Sequence, residues 1–206
     1  MIGIVDYRMG NLGSVLNACA KVGAEAKLVS LPEELKSCDR LMLPGVGAFP
    51  DAMAHLRENG MDEAIREFAI SGRPLMGTCL GMQLLFERSD EFGEHKGLGL
   101  IPGRVVRFDE AKFDHPLKVP HMGWNVINYK NDKKLFRSKI KKFRFYFAHS
   151  FFLECANKND IAATCTYGHK FTCAIEKDRV LGVQFHPEKS HKFGKEIFSN
   201  FVKLSC

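Results

Sequence analysis

The sequence predicts an α/β protein, with a mixed, largely parallel central sheet flanked by helices and an additional β-rich portion in the C-terminal half. Three observations carry this expectation. Short apolar runs alternate with helical patterns over about the first ninety residues, which marks a parallel sheet with helices on both faces. From about Gly97 the rhythm changes to short strands separated by loops. A helical pattern over 190–204, with Phe193, Ile197, Phe198, Phe201 and Leu204 on one side, then closes the chain. No internal repeat, low-complexity tract or linker breaks the 206 residues, so 1–206 is expected to form one domain.

Taken in order, Ile2–Val5 reads as a first buried strand. The opening MIGIVDYRMGN has no basic leader before an apolar stretch and a cleavage site, so nothing suggests export. A turn over 6–11 leads to Leu12, Val15, Leu16, Cys19 and Val22 at helical spacing, and Gly23 stops that helix. Ala26–Val29 is a second strand, followed by a short helix that Pro32 initiates. Arg40–Leu43 is a third strand, ending in Pro44-Gly45-Val46-Gly47. Helices follow from Pro50 and over 62–70. In the second half, 104–108, 124–129, 145–148, 162–167, 171–175 and 180–185 read as strands.

The stretch RPLMGTCLGMQLLFE, from Arg73 to Glu87, stands out. A short apolar run turns through Gly77-Thr78-Cys79-Leu80-Gly81 into a helical pattern with Met82, Leu85 and Phe86 on one side. A cysteine held where a strand breaks into a helix is a nucleophile elbow, its glycines allowing the turn and close helix–strand packing. The helix N-terminus behind Cys79 would help hold a thiolate. A buried structural cysteine is the ordinary alternative; glycine on both sides of the junction favours the elbow.

Composition narrows the classes. The hydrophobic fraction of 45% is ordinary for a soluble protein. No apolar run approaches the roughly 20 residues a membrane span needs. Seven cysteines, an odd number without CxxC pairs, argue for reduced thiols in a cytoplasm and against a disulfide scaffold or zinc site. Much of the formal net charge of +6 lies in 130–144. That stretch reads as a solvated lysine-rich face or as a surface steering an acidic partner. No nucleic-acid motif accompanies it.

A cysteine nucleophile needs a base, an orienter for the base and donors for the oxyanion. VQFHPE supplies His186 directly after an apolar strand and Glu188 two residues on, with Pro187 fixing the backbone between them. Residues two apart on an extended chain point the same way, so the carboxylate can reach the imidazole. The backbone N–H of Leu80 is one oxyanion donor. The glycine loop 44–47, at the end of the third strand, is the second.

PGVG, GTCLGMQ and FHPEKS, in this order, resemble the class I glutamine amidotransferases, and the likeness runs the whole chain. DYRMGNLGS, VPHMGWN and YFAHS resemble one branch of that family in particular. Its members are glutaminase subunits of histidine biosynthesis that pass ammonia to a (β/α)8-barrel cyclase, forming imidazole glycerol phosphate and AICAR. The resemblance implies that Cys79 attacks the side-chain amide of L-glutamine, that His186 shuttles the proton and that Glu188 orients His186. It places Val46 and Gly47 at an oxyanion loop that reorients, Gln83 at the substrate's amino-acid end, and His149 and Ser150 along the glutamine pocket. Asn11, Met122, Trp124, Asn125, Tyr146 and Lys189 would face the cyclase in a heterodimer. No cofactor or metal is implied, and neither nucleic acid nor membrane.

The chain departs from the family pattern at Thr78, at Phe151 and in the run after Lys189. These changes bear on the ammonia acceptor, because close relatives of the branch serve amidino-sugar synthesis for surface polysaccharide. Two further readings stand beside it. One is an inactive amidotransferase-like regulatory module, against which the complete set of Cys79, His186 and Glu188 speaks. The other is a cysteine peptidase or redox chaperone on a related fold, which Gln83 and the HPE spacing disfavour.

Overall fold

The computed structural model describes residues 1–205. Its strands, in chain order, are β1 (Ile2–Val5), β2 (Ala26–Val29), β3 (Arg40–Leu43), β4 (Leu75–Thr78) and β5 (Phe86–Ser89). There follow β6 (His95–Lys96), β7 (Ile101–Arg107), β8 (His121–Tyr129) and β9 (Arg144–His149). The last four are β10 (Phe151–Cys155), β11 (Ile161–Tyr167), β12 (His169–Lys177) and β13 (Val180–Val183). The helices are α1 (Leu12–Lys21), α2 (Phe49–Glu58), α3 (Met61–Ile70), α4 (Leu80–Leu84) and α5 (His191–Val202).

The strands join one sheet in the order β2-β1-β3-β4-β13-β12-β10-β7-β5-β6, with β11, β8 and β9 branching from β12. The first five in that order pair in parallel. From β12 onward the pairing is antiparallel, except between β5 and β7. The side-chain period of two sorts the parallel strands onto two faces. Leu41, Leu43 and Leu75 go to the layer of α2 and α3, with Phe49, Met53, Leu56, Ile65 and Phe68. Ile4, Met42, Met76 and Leu181 go to the layer of α1 and α5, with Val15, Cys19, Ile197, Phe198 and Phe201. Buried phenylalanines, among them Phe108, Phe145, Phe147 and Phe185, continue that second core beneath the β-rich half.

The mixed sheet follows the sequence reading, with corrections at three places. The elbow helix ends after Leu84, and Phe86, expected on its apolar side, starts β5 instead. Apolar residues at 82, 85 and 86 satisfy a helical pattern and a buried strand start equally well. Strands β6 and β10 carry no alternation that reads as a strand, and pairing with β5 and β7 forms them. The segment after Pro32 is a 3-10 helix, Pro32–Ser37.

The stretch 130–143 links β8 to β9. Within it Leu135 and Phe136 are buried, and the Leu135 and Arg137 carbonyls accept from Asn200 of α5 at 2.9 and 3.2 Å. The basic run is therefore partly an anchored connection.

Candidate active site

Cys79 sits between β4 and α4 with φ 52° and ψ −115°, a left-handed conformation in a residue that carries a Cβ. Two features hold it there. Its N–H donates to the Val183 carbonyl of β13 at 2.8 Å. The elbow also packs too closely for side chains at its glycines. A Cβ on Gly81 would stand 1.7 Å from the Leu43 carbonyl oxygen, and one on Gly77 would stand 2.6 Å from the Gly81 oxygen. The strained residue is thereby over-determined by its surroundings, as is common at reactive positions.

Strand β13 runs parallel to β4 with Val183 opposite Thr78, so the residues that follow it emerge beside the elbow. His186 is buried, and its Nδ1 lies 2.9 Å from Glu188 Oε1. Both side chains are 4% exposed. Burial alone would lower the imidazole pKa. Interaction with Cys79 on one side and Glu188 on the other outweighs it and raises the pKa to about 10. The ring thus has a carboxylate on one side and the sulfur on the other, the order a cysteine–histidine pair needs for proton transfer. The dipole of α4 adds little, because that helix has only five residues. The Cys79 thiol also lies 4.0 Å from the Ala148 carbonyl, and Gln184 Nε2 stands 3.9 Å from the sulfur.

The sulfur opens into a cavity of about 780 Å³ lined on one side by Val46, Gly47 and Leu80. Gly47 has φ 106°, and Val46 is 42% exposed. The N–H groups of Val46, Gly47 and Leu80 donate to no protein acceptor among the described residues. The cavity's other lining residues include Gln83, Asp90, Glu91, Arg107, Ser150 and Lys189. A cysteine and an imidazole in one cavity, with free backbone donors and carboxylates among its lining, would suit an acyl transfer from a small zwitterionic substrate. Among the described residues no cluster of His, Cys, Asp and Glu is placed to hold a metal ion.

Comparison with known proteins decides the family. The model of the glutamine amidotransferase class-I family matches residues 3–204. The chain belongs to the class-I glutamine amidotransferases. It is 54% identical over 203 residues to imidazole glycerol phosphate synthase subunit HisH of Sulfurimonas denitrificans, covering 98% of each chain. It is 50% identical to the subunit of the same name from Wolinella succinogenes, over 99% of this chain and 100% of that one. Two solved structures share the fold at low identity. A glutamine amidotransferase crystal structure matches with a TM-score of 0.76 at 20% identity, over 98% of this chain and 97% of that one. PurLQS of Thermotoga maritima matches with a TM-score of 0.76 at 21% identity, over 98% and 96%.

In this amidotransferase Cys79, His186 and Glu188 meet, and Val46, Gly47, Leu80, Gln83, His149 and Ser150 all line the one cavity. Gln83 is buried with its Nε2 already donating to the Phe151 carbonyl and Gln184 Oε1, both at 3.2 Å. Its own carbonyl oxygen is left as the free group. The His149 ring turns inward, to His121 at 3.0 Å and the Phe151 carbonyl at 2.7 Å. Met122 and Lys189 stand at the cavity mouth, and the Lys189 ammonium lies 5.8 Å from the Tyr146 ring centroid. Trp124 is 37% exposed and stacks on His191 with centroids 5.5 Å apart. Asn11 caps α1 by accepting from the Ser14 N–H at 3.3 Å. Asn125 is half-buried, and its amide nitrogen donates to the Thr166 carbonyl at 2.9 Å, so it spends itself inside the chain.

Sequence reading missed Glu91 and Gln184. Glu91 is buried on the cavity wall, and its Oε2 accepts the Phe49 N–H at 2.9 Å, which caps α2 from another part of the chain. Burial raises its pKa against that hydrogen bond. Nothing local in Ser89-Asp90-Glu91-Phe92-Gly93 marks it, since its cap partner Phe49 lies 42 residues away. For Gln184 the available signal was a polar residue inside the apolar run VQF, which a fully buried strand tolerates only with partners.

Proposed function

We propose that this chain hydrolyses L-glutamine as the glutaminase subunit of an imidazole glycerol phosphate synthase, with residues 1–206 acting as one domain. The single observation that carries the chemistry is that buried His186, its Nδ1 2.9 Å from Glu188 Oε1, lines the same cavity as Cys79. The relatives at 54% and 50% identity support the histidine pathway over amidino-sugar synthesis.

In this reading the Cys79 thiolate attacks the side-chain amide carbon of glutamine. The carbonyl oxygen becomes an oxyanion facing the N–H groups of Leu80 and of the loop at Val46 and Gly47. His186 gives its proton to the amide nitrogen, the C–N bond breaks, ammonia leaves and a thioester remains on Cys79. The neutral imidazole then takes a proton from water, and the resulting hydroxide attacks the thioester. Glutamate departs as the thiolate re-forms against the imidazolium. Glu188 keeps the ring oriented through both halves. Elsewhere on the cavity lining Glu91 and the free oxygen of Gln83 suit the substrate's α-ammonium, and the cationic Arg107 suits its α-carboxylate.

Free ammonia in water at neutral pH is mostly protonated and non-nucleophilic, so it must pass directly to its acceptor. The face around the cavity mouth, with Met122, Trp124, Tyr146, Lys189 and Asn11, is read as the seat of a (β/α)8-barrel cyclase. The reaction is assigned to the cytoplasm; no helix among the described residues is long and apolar enough to cross a membrane.

Cys79→Ala tests the assignment. It is expected to abolish glutamine hydrolysis while circular dichroism and partner binding stay as in the wild type. Ammonia release persisting in that variant would remove Cys79 from the mechanism.

A further inference from the structure

The loop 44–47 is held on one side by the elbow, and on the other by a residue that none of the preceding chemistry uses. Tyr7, in the turn after β1, is 4% exposed, and its hydroxyl donates to the Pro44 carbonyl at 2.7 Å. Among the described residues this is the one side-chain hydrogen bond that reaches the loop. The hydroxyl also lies directly against Gly45: a Cβ there would come within 2.3 Å of Tyr7 Oη, 3.0 Å of the Gly81 nitrogen and 3.1 Å of Leu80 Cβ. Gly45 is thus clamped between the Tyr7 hydroxyl and the first residues of the elbow helix. At the other end of the loop, a Cβ on Gly47 would meet Met9 Cε at 2.5 Å. The turn carrying both residues is itself pinned, by the Asp6 N–H donating to the Val29 carbonyl at 2.8 Å and the Arg8 N–H donating to Asp6 Oδ1 at 3.1 Å.

We infer that Tyr7 is a positioning residue for the oxyanion loop: its hydroxyl fixes the Pro44–Gly45 backbone so that the free N–H groups of Val46 and Gly47 meet the oxyanion forming at Cys79. Tyr7 does not line the substrate cavity, so it acts through the loop. The phenol is buried and close enough to Cys79 for the sulfur's negative charge to help raise its pKa, so it remains a protonated donor throughout turnover. Backbone donors act on charge that exists only in the transition state. Loosening them therefore lowers the rate of the chemical step and leaves substrate binding alone.

The inference rests on the glutaminase reading, and its test is built so that the two fail separately. In the complex with the barrel partner, Tyr7→Phe keeps the ring and removes the hydroxyl. It is expected to lower kcat for glutamine hydrolysis about tenfold, with KM within about twofold of wild type. Alkylation of Cys79 by iodoacetamide needs the thiolate and no oxyanion donor, so its rate is expected to stay at the wild-type value. A kcat within about twofold of wild type would show the bond to be structural only and overturn the role. So would a rise in KM alone, or a parallel loss of alkylation. Glutamine turnover surviving in Cys79→Ala would instead overturn the glutaminase reading, whatever Tyr7→Phe does.

Discussion

His121 and His149 place ring nitrogens 3.0 Å apart inside the β-rich half, and their neighbours fix both tautomers. His149 Nδ1 lies 2.7 Å from the Phe151 carbonyl, an acceptor, so that nitrogen carries the proton. Its Nε2 is then an acceptor, and His121 Nδ1 must donate to it. His121 Nε2 in turn accepts from Asn125 at 3.4 Å. Burial lowers the two pKa values to about 4 and about 3. A depressed folded-state pKa means that the unfolded chain takes up protons first as the pH falls. The stability from these groups is therefore fully present above about pH 6.5 and is lost as the pH falls through about 4 and about 3. The thermal midpoint is expected to fall across that window, and the imidazole C–H resonances of both residues are expected to stay flat above about pH 5. A resonance from either residue titrating near 6.5 would contradict the buried neutral pair. The motif containing His149 was legible in the sequence. The direction of its ring was not, because the partner that turns it comes from β8, 28 residues earlier.

The elbow is decided between elements. Gly77 and Gly81 read as turn residues in the sequence, yet Gly81 has no positive φ. What excludes a side chain there is the carbonyl of Leu43 on β3, an approach set by helix–sheet packing. Gly81→Ala is expected to destabilise by about 3 kcal/mol or more in denaturant unfolding, since backbone cannot step aside as a side chain can. Gly13 serves as the control. It lies on α1 with nothing within 4 Å of a Cβ, so Gly13→Ala is expected to be neutral or to stabilise by up to about 1 kcal/mol. Equal effects at the two glycines would show that chain flexibility, and not the close approach, sets the requirement. The short length of α4 belongs at this scale too. Its apolar pattern continues past Leu84, and only the parallel pairing of Phe86 with Ile101 turns the chain into β5.

At the scale of the whole molecule, a partly exposed group of side chains continues from the cavity lining at Met122 and Lys189. Met122 is 64% exposed, Trp124 stacks on His191, and Arg144 lies 5.9 Å above the indole. Tyr146 and Lys189 continue the group toward the sulfur. A large, partly exposed aromatic braced by a guanidinium and an imidazole ring is the kind of residue that dominates binding energy. Trp124→Ala is expected to weaken partner binding by about 2 kcal/mol in titration calorimetry while costing less than about 1 kcal/mol of folding stability. The reverse pattern would make Trp124 a core aromatic. From the basic run 130–144, Arg144 reaches this surface. Lys134 instead pairs with Glu176 at 3.7 Å, and the Lys134 N–H donates to the same carboxylate at 2.7 Å.

The sequence by itself determined the class of fold and named the residues proposed to carry the chemistry. The proposed nucleophile, base and orienter lie in local motifs, and a cysteine between glycines or an HPE after an apolar strand can be read within a few residues. The alternation of strands and helices is likewise a local pattern, and parallel pairing follows from it. Only the tertiary structure decided what holds the machinery in place. The Tyr7 bond to Pro44, the Glu91 cap on α2, the Gln184 contact with Cys79 and the inward turn of His149 onto His121 each join residues between 28 and 105 positions apart. Such contacts leave no periodic trace in one chain, since their energy depends on burial and geometry that exist only after the sheet has assembled.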